Sequence, residues 1–220
     1  HWNGAVWEIE DSPVAVDLKD IQFITEDEGW VVGDSGTVLH YNGQDWSVNF
    51  RRGISTFTTS LFFLSSTNGW VAMGPEVWHF QDGSWSMDTT ILGYVYSVYF
   101  VREDEGWAVG EYAIDCAECR GAILYYDGNK WNAEKITPQP RQNYWFSVFF
   151  LSEDEGWIAG ADDEVADAEG VGNMLYYKGG EWAVVNIDGY ETVYSLYFLN
   201  EESGWAVGRG GYILKFQKSQ

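Results

Sequence analysis

Positive charge is scarce in this chain: 12 lysines and arginines stand against 34 aspartates and glutamates, a net charge of −22 over 220 residues. Nucleic acid and anionic membrane surfaces both attract basic patches, so this balance excludes them as partners. Long apolar runs are missing too. No stretch approaches the roughly 18 residues of a membrane-spanning helix, which excludes insertion by that route. Histidine occurs only at His1, His40 and His79, with no His-x-x-x-His or His-Glu-x-x-His spacing. Zinc chemistry built on such a pair is therefore excluded. The only cysteines are Cys116 and Cys119, too few for a tetrahedral zinc site. Cys116-Ala117-Glu118-Cys119 also has no βαβ setting that would make it a redox motif. A local disulfide in an oxidising compartment is the expectation. The first residue is His1, and the expectation is a removed signal peptide or a piece of a longer chain.

What the chain has in quantity is aromatic and small. Aromatic residues make up 18%, with 13 Trp and 14 Tyr, beside 25 Gly. That mixture favours strands and tight turns over helices. Two signatures recur. The first is an acidic turn, then Gly-Trp, then a short strand ending in Gly: Glu26-Asp27-Glu28-Gly29-Trp30-Val31-Val32-Gly33. It returns ending at Gly110, Gly160 and Gly208, and in a worn copy ending at Gly74. The second is a strand, a turn glycine and a tryptophan, as in His40-Tyr41-Asn42-Gly43-Gln44-Asp45-Trp46. Copies end at Trp85, Trp131 and Trp182, and one opens the chain as His1-Trp2-Asn3-Gly4-Ala5-Val6-Trp7.

The Gly-Trp tryptophans are Trp30, Trp70, Trp107, Trp157 and Trp205. Their separations match the roughly 40–50 residues of a propeller blade. The fold class predicted is therefore all-β: a five-bladed β-propeller of four-stranded blades in one domain, residues 1–220. The blades fall at approximately 20–58, 59–95, 96–145, 146–193, and 194–220 plus 1–19. The last unit offers three strands. Trp7-Glu8-Ile9-Glu10 is expected to supply its fourth, closing the ring with strands from both termini and removing exposed edges.

The pattern Gly-Trp-x-x-Gly, then Gly-x-Ile/Val-Leu-His/Tyr-Tyr, then Asp/Asn-Gly-x-x-Trp resembles the photosystem II assembly-factor type of propeller repeat. That type is related to the bacterial neuraminidase (Asp-box) repeats. The resemblance covers nearly the whole chain. It implies a propeller; similar repeats occur in assembly chaperones and secreted binding domains, and no photosynthetic role is carried over from it. The full Asp-box is degraded here to Asp127-Gly128-Asn129-Lys130-Trp131 and its variants.

Gly33-Asp34-Ser35-Gly36 resembles the nucleophile loop of trypsin-like proteases. The last unit has Gly208-Arg209-Gly210-Gly211 in the same place, so the segment reads as a turn. The acidic turns at 26–28, 103–105, 153–155 and 201–202 read as a solubilising face; a glycosidase would need an asymmetric carboxylate pair, which a repeated turn does not give. The acidic insertion carrying Asp162, Asp163 and Asp167 is the one candidate metal site, for calcium. No other cofactor is expected.

Function in a repeat protein is expected where the units differ, in the loops before the first and third strands of each unit. Arg51, Arg52, Arg120, Arg141 and Arg209 fall there, an unusual concentration in so acidic a chain. Tyr94, Tyr96, Tyr144, Trp145, Phe146, Tyr190 and Tyr194 accompany them. Arginine offers planar paired donors to carboxylates, and aromatic faces stack on sugars or anchor protein segments. These residues are the predicted ligand-binding face. The expected role is an extracellular or cell-surface module for protein–protein interaction, with a lectin-like carbohydrate-binding propeller as the alternative and a glycoside hydrolase as the lesser one.

Overall fold

The computed structural model describes residues 1–53, 57–112, 121–134, 136, 143–162, 174–185, 187 and 192–217. Alternating apolar residues and turn glycines fold as expected into five antiparallel sheets. The first runs β1 (Leu18–Thr25), β2 (Glu28–Gly33), β3 (Thr37–Tyr41) and β4 (Trp46–Arg51). The second is β5 (Thr58–Ser65), β6 (Asn68–Met73), β7 (Glu76–Gln81) and β8 (Ser84–Thr90). The third is β9 (Gly93–Arg102), β10 (Glu105–Tyr112), β11 (Gly121–Tyr126) and β12 (Trp131–Ala133). The fourth is β13 (Asn143–Ser152), β14 (Glu155–Asp162), β15 (Met174–Lys178) and β16 (Glu181–Val185). The fifth has three strands, β17 (Val193–Asn200), β18 (Ser203–Gly208) and β19 (Ile213–Gln217).

Each sheet is a meander, and its first strand packs against the first strand of the next: β1 on β5, β5 on β9, β9 on β13, β13 on β17. The joint between sheets is the same each time. The tryptophan of Gly-Trp lies flat on a phenylalanine of the following sheet. Trp30 stacks on Phe63 at 4.4 Å, Trp70 on Phe100 at 3.4 Å, Trp107 on Phe150 at 5.0 Å and Trp157 on Phe198 at 3.9 Å. These rings are among the most buried groups in the molecule and form the core of four successive clusters. A polar tie accompanies them. The backbone N–H of Leu61 donates to Asp20, that of Val98 to the Ser60 hydroxyl, that of Val148 to Ser97 and that of Leu196 to Ser147.

Among the described residues the ring is not closed. No comparable contact joins β17 to β1. Trp205 is only partly buried, and Phe23 at the other end is 48% exposed. The expected closing strand does not join the fifth sheet. Instead Trp2 and Trp7 form an isolated antiparallel bridge, and the segment lies over the open face of the first sheet with Trp46 donating to Glu10. The local hairpin bonds of residues 1–8 hold this arrangement, with Glu8 N–H donating to the His1 carbonyl at 2.8 Å.

The acidic turns also depart from a purely solvated face. Glu105 and Glu155 are buried, because the residue just before each Gly-Trp turns inward to meet a polar partner. Glu105 pairs with Arg102 at 2.8 Å, and Glu155 accepts from the Tyr176 hydroxyl at 2.9 Å and pairs with Lys178. His40 and His79 meet the corresponding turn residues, Glu28 at 2.7 Å and Asn68 at 2.8 Å, which accounts for both histidines as structural.

Candidate functional site

All five inner strands carry a register break at the same place. One residue on each is skipped in the pairing with its neighbour: Lys19, Thr59, Tyr96, Phe146 and Tyr194. A β-bulge leaves its extra residue out of the ladder and re-aims its side chain. Here the re-aimed side chains gather at the end where the inner strands begin, so a repeated backbone feature presents five side chains of four kinds side by side.

Along three of these strands the groups are aromatic and continuous. Tyr94 and Tyr96 lie parallel with centroids 6.4 Å apart, and Tyr144 and Phe146 repeat that arrangement at 6.4 Å on the next strand. Tyr96 meets Phe146 at 5.4 Å, and Phe146 meets Tyr194 at 5.6 Å. Tyr194 is 51% exposed and Tyr94 is 41% exposed, so flat aromatic surface faces solvent. Tyr96 is half-buried. Burial, then its hydrogen bond to Glu111, pushes its phenol well above the ordinary tyrosine range. It therefore stays a neutral donor.

Toward the first sheet the run changes character. A cavity of about 550 Å³ is lined by Lys19, Phe57, Thr58, Thr59, Gly74, Tyr94, Val95 and Tyr96. The Thr59 hydroxyl donates to the Val95 carbonyl at 2.9 Å, fixing that wall. Lys19 lies near Asp17 at 3.2 Å and Asp34 at 3.5 Å, and the hydrogen bond to Asp17 first, with both carboxylates' charges, raises its pKa. The mouth thus has a lysine paired with two carboxylates at one end, a threonine-walled cavity and an aromatic end.

The structure brings together Tyr94, Tyr96, Tyr144, Phe146 and Tyr194 of the predicted face. Trp145 does not join them. It is 2% exposed and packs in the core between the third and fourth sheets, because the bulge turns residue 146, not 145, toward the mouth. Arg52 is engaged on the rim: its guanidinium meets Glu76 at 3.2 and 3.3 Å and lies 5.5 Å from the centre of the Trp78 ring. Burial works against the Glu76 charge, but Arg52 and Trp78 outweigh it and hold that carboxyl below its usual range. Arg51 is exposed at the end of β4, and Arg209 opens a short 3-10 turn whose backbone N–H donates to the Thr192 carbonyl. Arg120, Arg141, Tyr190, Asp163, Asp167, Cys116 and Cys119 lie outside the described residues, as does the side chain of Asp162. Among the described residues no group of three or more His, Cys, Asp or Glu is placed to hold a metal ion.

Lys19, Phe57 and Thr59 were not singled out from the sequence. The signal that finds them is alignment of the units on the serine of the inner strand. Asp20, Ser60, Ser97, Ser147 and Ser195 occupy one position, and the residue before each is the bulge.

No family model matches the chain, and no curated protein matches it. Solved structures do. YCF48 bound to a D1 peptide superposes with a TM-score of 0.70 at 16% identity, over 98% of this chain and 69% of that one. YCF48 from Cyanidioschyzon merolae gives 0.65 at 16% identity, over 95% and 69%. The extracellular domain of the putative one-component system BT4673 from B. thetaiotaomicron gives 0.66 at 12% identity, over 93% of this chain and 27% of that one. At these identities the likeness speaks for fold alone. Five blade-like meanders, a shared inter-sheet joint and these neighbours together establish a β-propeller architecture.

Proposed function

We propose that this chain is a non-catalytic protein-binding module that takes an extended peptide segment across the mouth formed by its five bulged residues. The observation that carries this reading is the continuous aromatic run from Tyr94 to Tyr194 beside the cavity at Lys19 and Thr59. Exposed aromatic groups beside fixed polar ones are what anchors of protein partners look like. The fold neighbour YCF48 bound to a D1 peptide supports a peptide ligand. An extracellular placement is supported by the neighbour that is an extracellular domain. Among the described residues no helix is long and apolar enough to cross a membrane.

The test is selection from a random peptide library on the purified chain, followed by titration of the selected peptides against Phe146→Ser and Tyr194→Ser. Loss of about tenfold or more in affinity, equivalent to about 1.4 kcal/mol of contact, is expected for each. Unchanged affinity in both would refute the site. A glycan is the second reading, favoured by the parallel faces of Tyr94/Tyr96 and Tyr144/Phe146. A glycan array distinguishes it, with binding lost in the same variants. The mouth itself uses no metal in this proposal, so EDTA should leave peptide binding unchanged; dependence on calcium would move the site toward the insertion bearing Asp162.

A further inference from the structure

In four of the sheets the last glycine of the Gly-Trp strand pairs with an apolar residue of the inner strand. Gly33 lies opposite Leu18, Gly110 opposite Val95, Gly160 opposite Trp145 and Gly208 opposite Val193. The second sheet changes both members, and the pair is Met73 with Thr58. Met73 is fully buried in the cluster that holds Trp30, Val38 and Leu61, so its exchange is a packing matter. Thr58 is also fully buried. Threonine has nearly the shape of the valine found at this position in the third and fifth sheets. What it adds is not bulk but a hydroxyl.

That hydroxyl has no structural employment. Thr58 Oγ1 is buried and has no hydrogen-bond partner among the described residues. A hydroxyl carries one hydrogen to donate and two lone pairs to accept with. Folded interiors leave few such groups unpaired, because burying one without a partner is unfavourable. Of the buried side-chain polar atoms left without a partner there, Thr58 Oγ1 is the one whose residue lines the cavity of about 550 Å³ at the mouth. Its neighbour Thr59 is different, since its hydroxyl is already given to the Val95 carbonyl.

The rest of that wall is largely carbon. Phe57 is 65% exposed and Tyr94 is 41% exposed, and Tyr94 and Tyr96 hold their rings parallel. Neither sign of charge suits the space. A cation would meet the Lys19 ammonium in the wall. An anion would meet Asp17 and Asp34, which hold that ammonium, in a chain of net charge −22. A neutral ring with a polar tip fits both demands, its face on the aromatic wall and its tip at the unpaired hydroxyl. We infer, resting on the peptide-binding reading of the mouth, that this cavity takes a tyrosine side chain of the bound segment, with its phenol hydrogen-bonded to Thr58 Oγ1. A phenol both donates and accepts, so it satisfies the threonine whichever way that hydroxyl turns.

The probes are N-acetyl-tyrosinamide and N-acetyl-phenylalaninamide, each titrated against the whole chain by NMR. The tyrosine probe should bind about tenfold more tightly, the difference of one neutral hydrogen bond. Thr58→Val should erase that preference by weakening the tyrosine probe alone. Its melting curve should be no lower, because Val95 and Val193 already hold this position in other sheets. Phe57→Ala should weaken both probes. Equal affinities for the unaltered chain, a preference that survives Thr58→Val, or binding of neither probe would overturn the inference. Library peptides separate this pocket from the rest of the mouth. Peptides that are lost in Phe146→Ser, beside probes without preference, would sink the pocket and leave the mouth standing. A probe preference that Thr58→Val erases, beside peptides indifferent to Phe146→Ser and Tyr194→Ser, would sink the mouth and leave the pocket standing.

Discussion

The glycine of each Gly-Trp pair sits opposite the inner-strand phenylalanine: Gly29 with Phe23, Gly69 with Phe63, Gly106 with Phe100, Gly156 with Phe150 and Gly204 with Phe198. A Cβ at these positions would stand 2.7, 2.3, 2.4, 2.5 and 2.3 Å from that ring. The repeat keeps glycine because the phenylalanine lies across it. Gly106→Ala should therefore cost about 1–3 kcal/mol, an overpacking penalty, measured by denaturant unfolding. Asp20 offers the opposite experiment. It holds the position of Ser60, Ser97 and Ser147 and accepts from the next sheet as they do. Burial raises its carboxyl pKa, so ionising it is unfavourable in the folded state. The folded state holds the proton more tightly than the unfolded one, and stability falls as pH rises through 3.8 toward the folded value. Asp20→Ser should remove that slope and raise the unfolding midpoint at neutral pH.

At the scale of the element, the flat tryptophan–phenylalanine stack is the unit of inter-sheet adhesion. Trp107 has its partner in Phe150, whereas among the described residues Trp205 meets no aromatic ring and has Lys215 5.8 Å from its ring centre. Trp107→Ala should therefore cost about 3–5 kcal/mol, and Trp205→Ala much less. Comparing the two by thermal unfolding checks whether the stack, rather than the tryptophan as such, carries the stability. The strands, hairpins and repeat were legible in the sequence because each unit reuses the same residues at the same spacing. The position of Trp145 was not. Alternation along β13 is interrupted at Phe146, and a one-residue bulge exchanges which neighbour faces the core. The failure of the closing strand was not legible either. Trp7-Glu8-Ile9-Glu10 has the composition of an outer strand, but composition does not say which edge it meets.

For the whole molecule, the net charge of −22 acts on every contact at once. Like charges repel in the compact state, and salt screens them over about 10 Å at 0.1 M. Raising ionic strength should therefore raise the melting temperature, and the gain should level off once the Debye length falls below the spacing of the acidic turns. The predicted arginine face was legible in sequence only as a tally of residues on shared loops. Arg52 is spoken for by Glu76 and Trp78, an engagement that depends on the residue just past β4 meeting β7 of the next sheet at one rim.

The shared bulge has a consequence for how such a molecule can change. A bulged residue takes no part in the ladder, so its identity is not fixed by strand pairing. Positions 19, 59, 96, 146 and 194 are in effect five interchangeable sockets on an invariant frame. What the mouth grips can then drift one socket at a time while the frame keeps its shape, and lysine, threonine, tyrosine, phenylalanine and tyrosine are one setting among many.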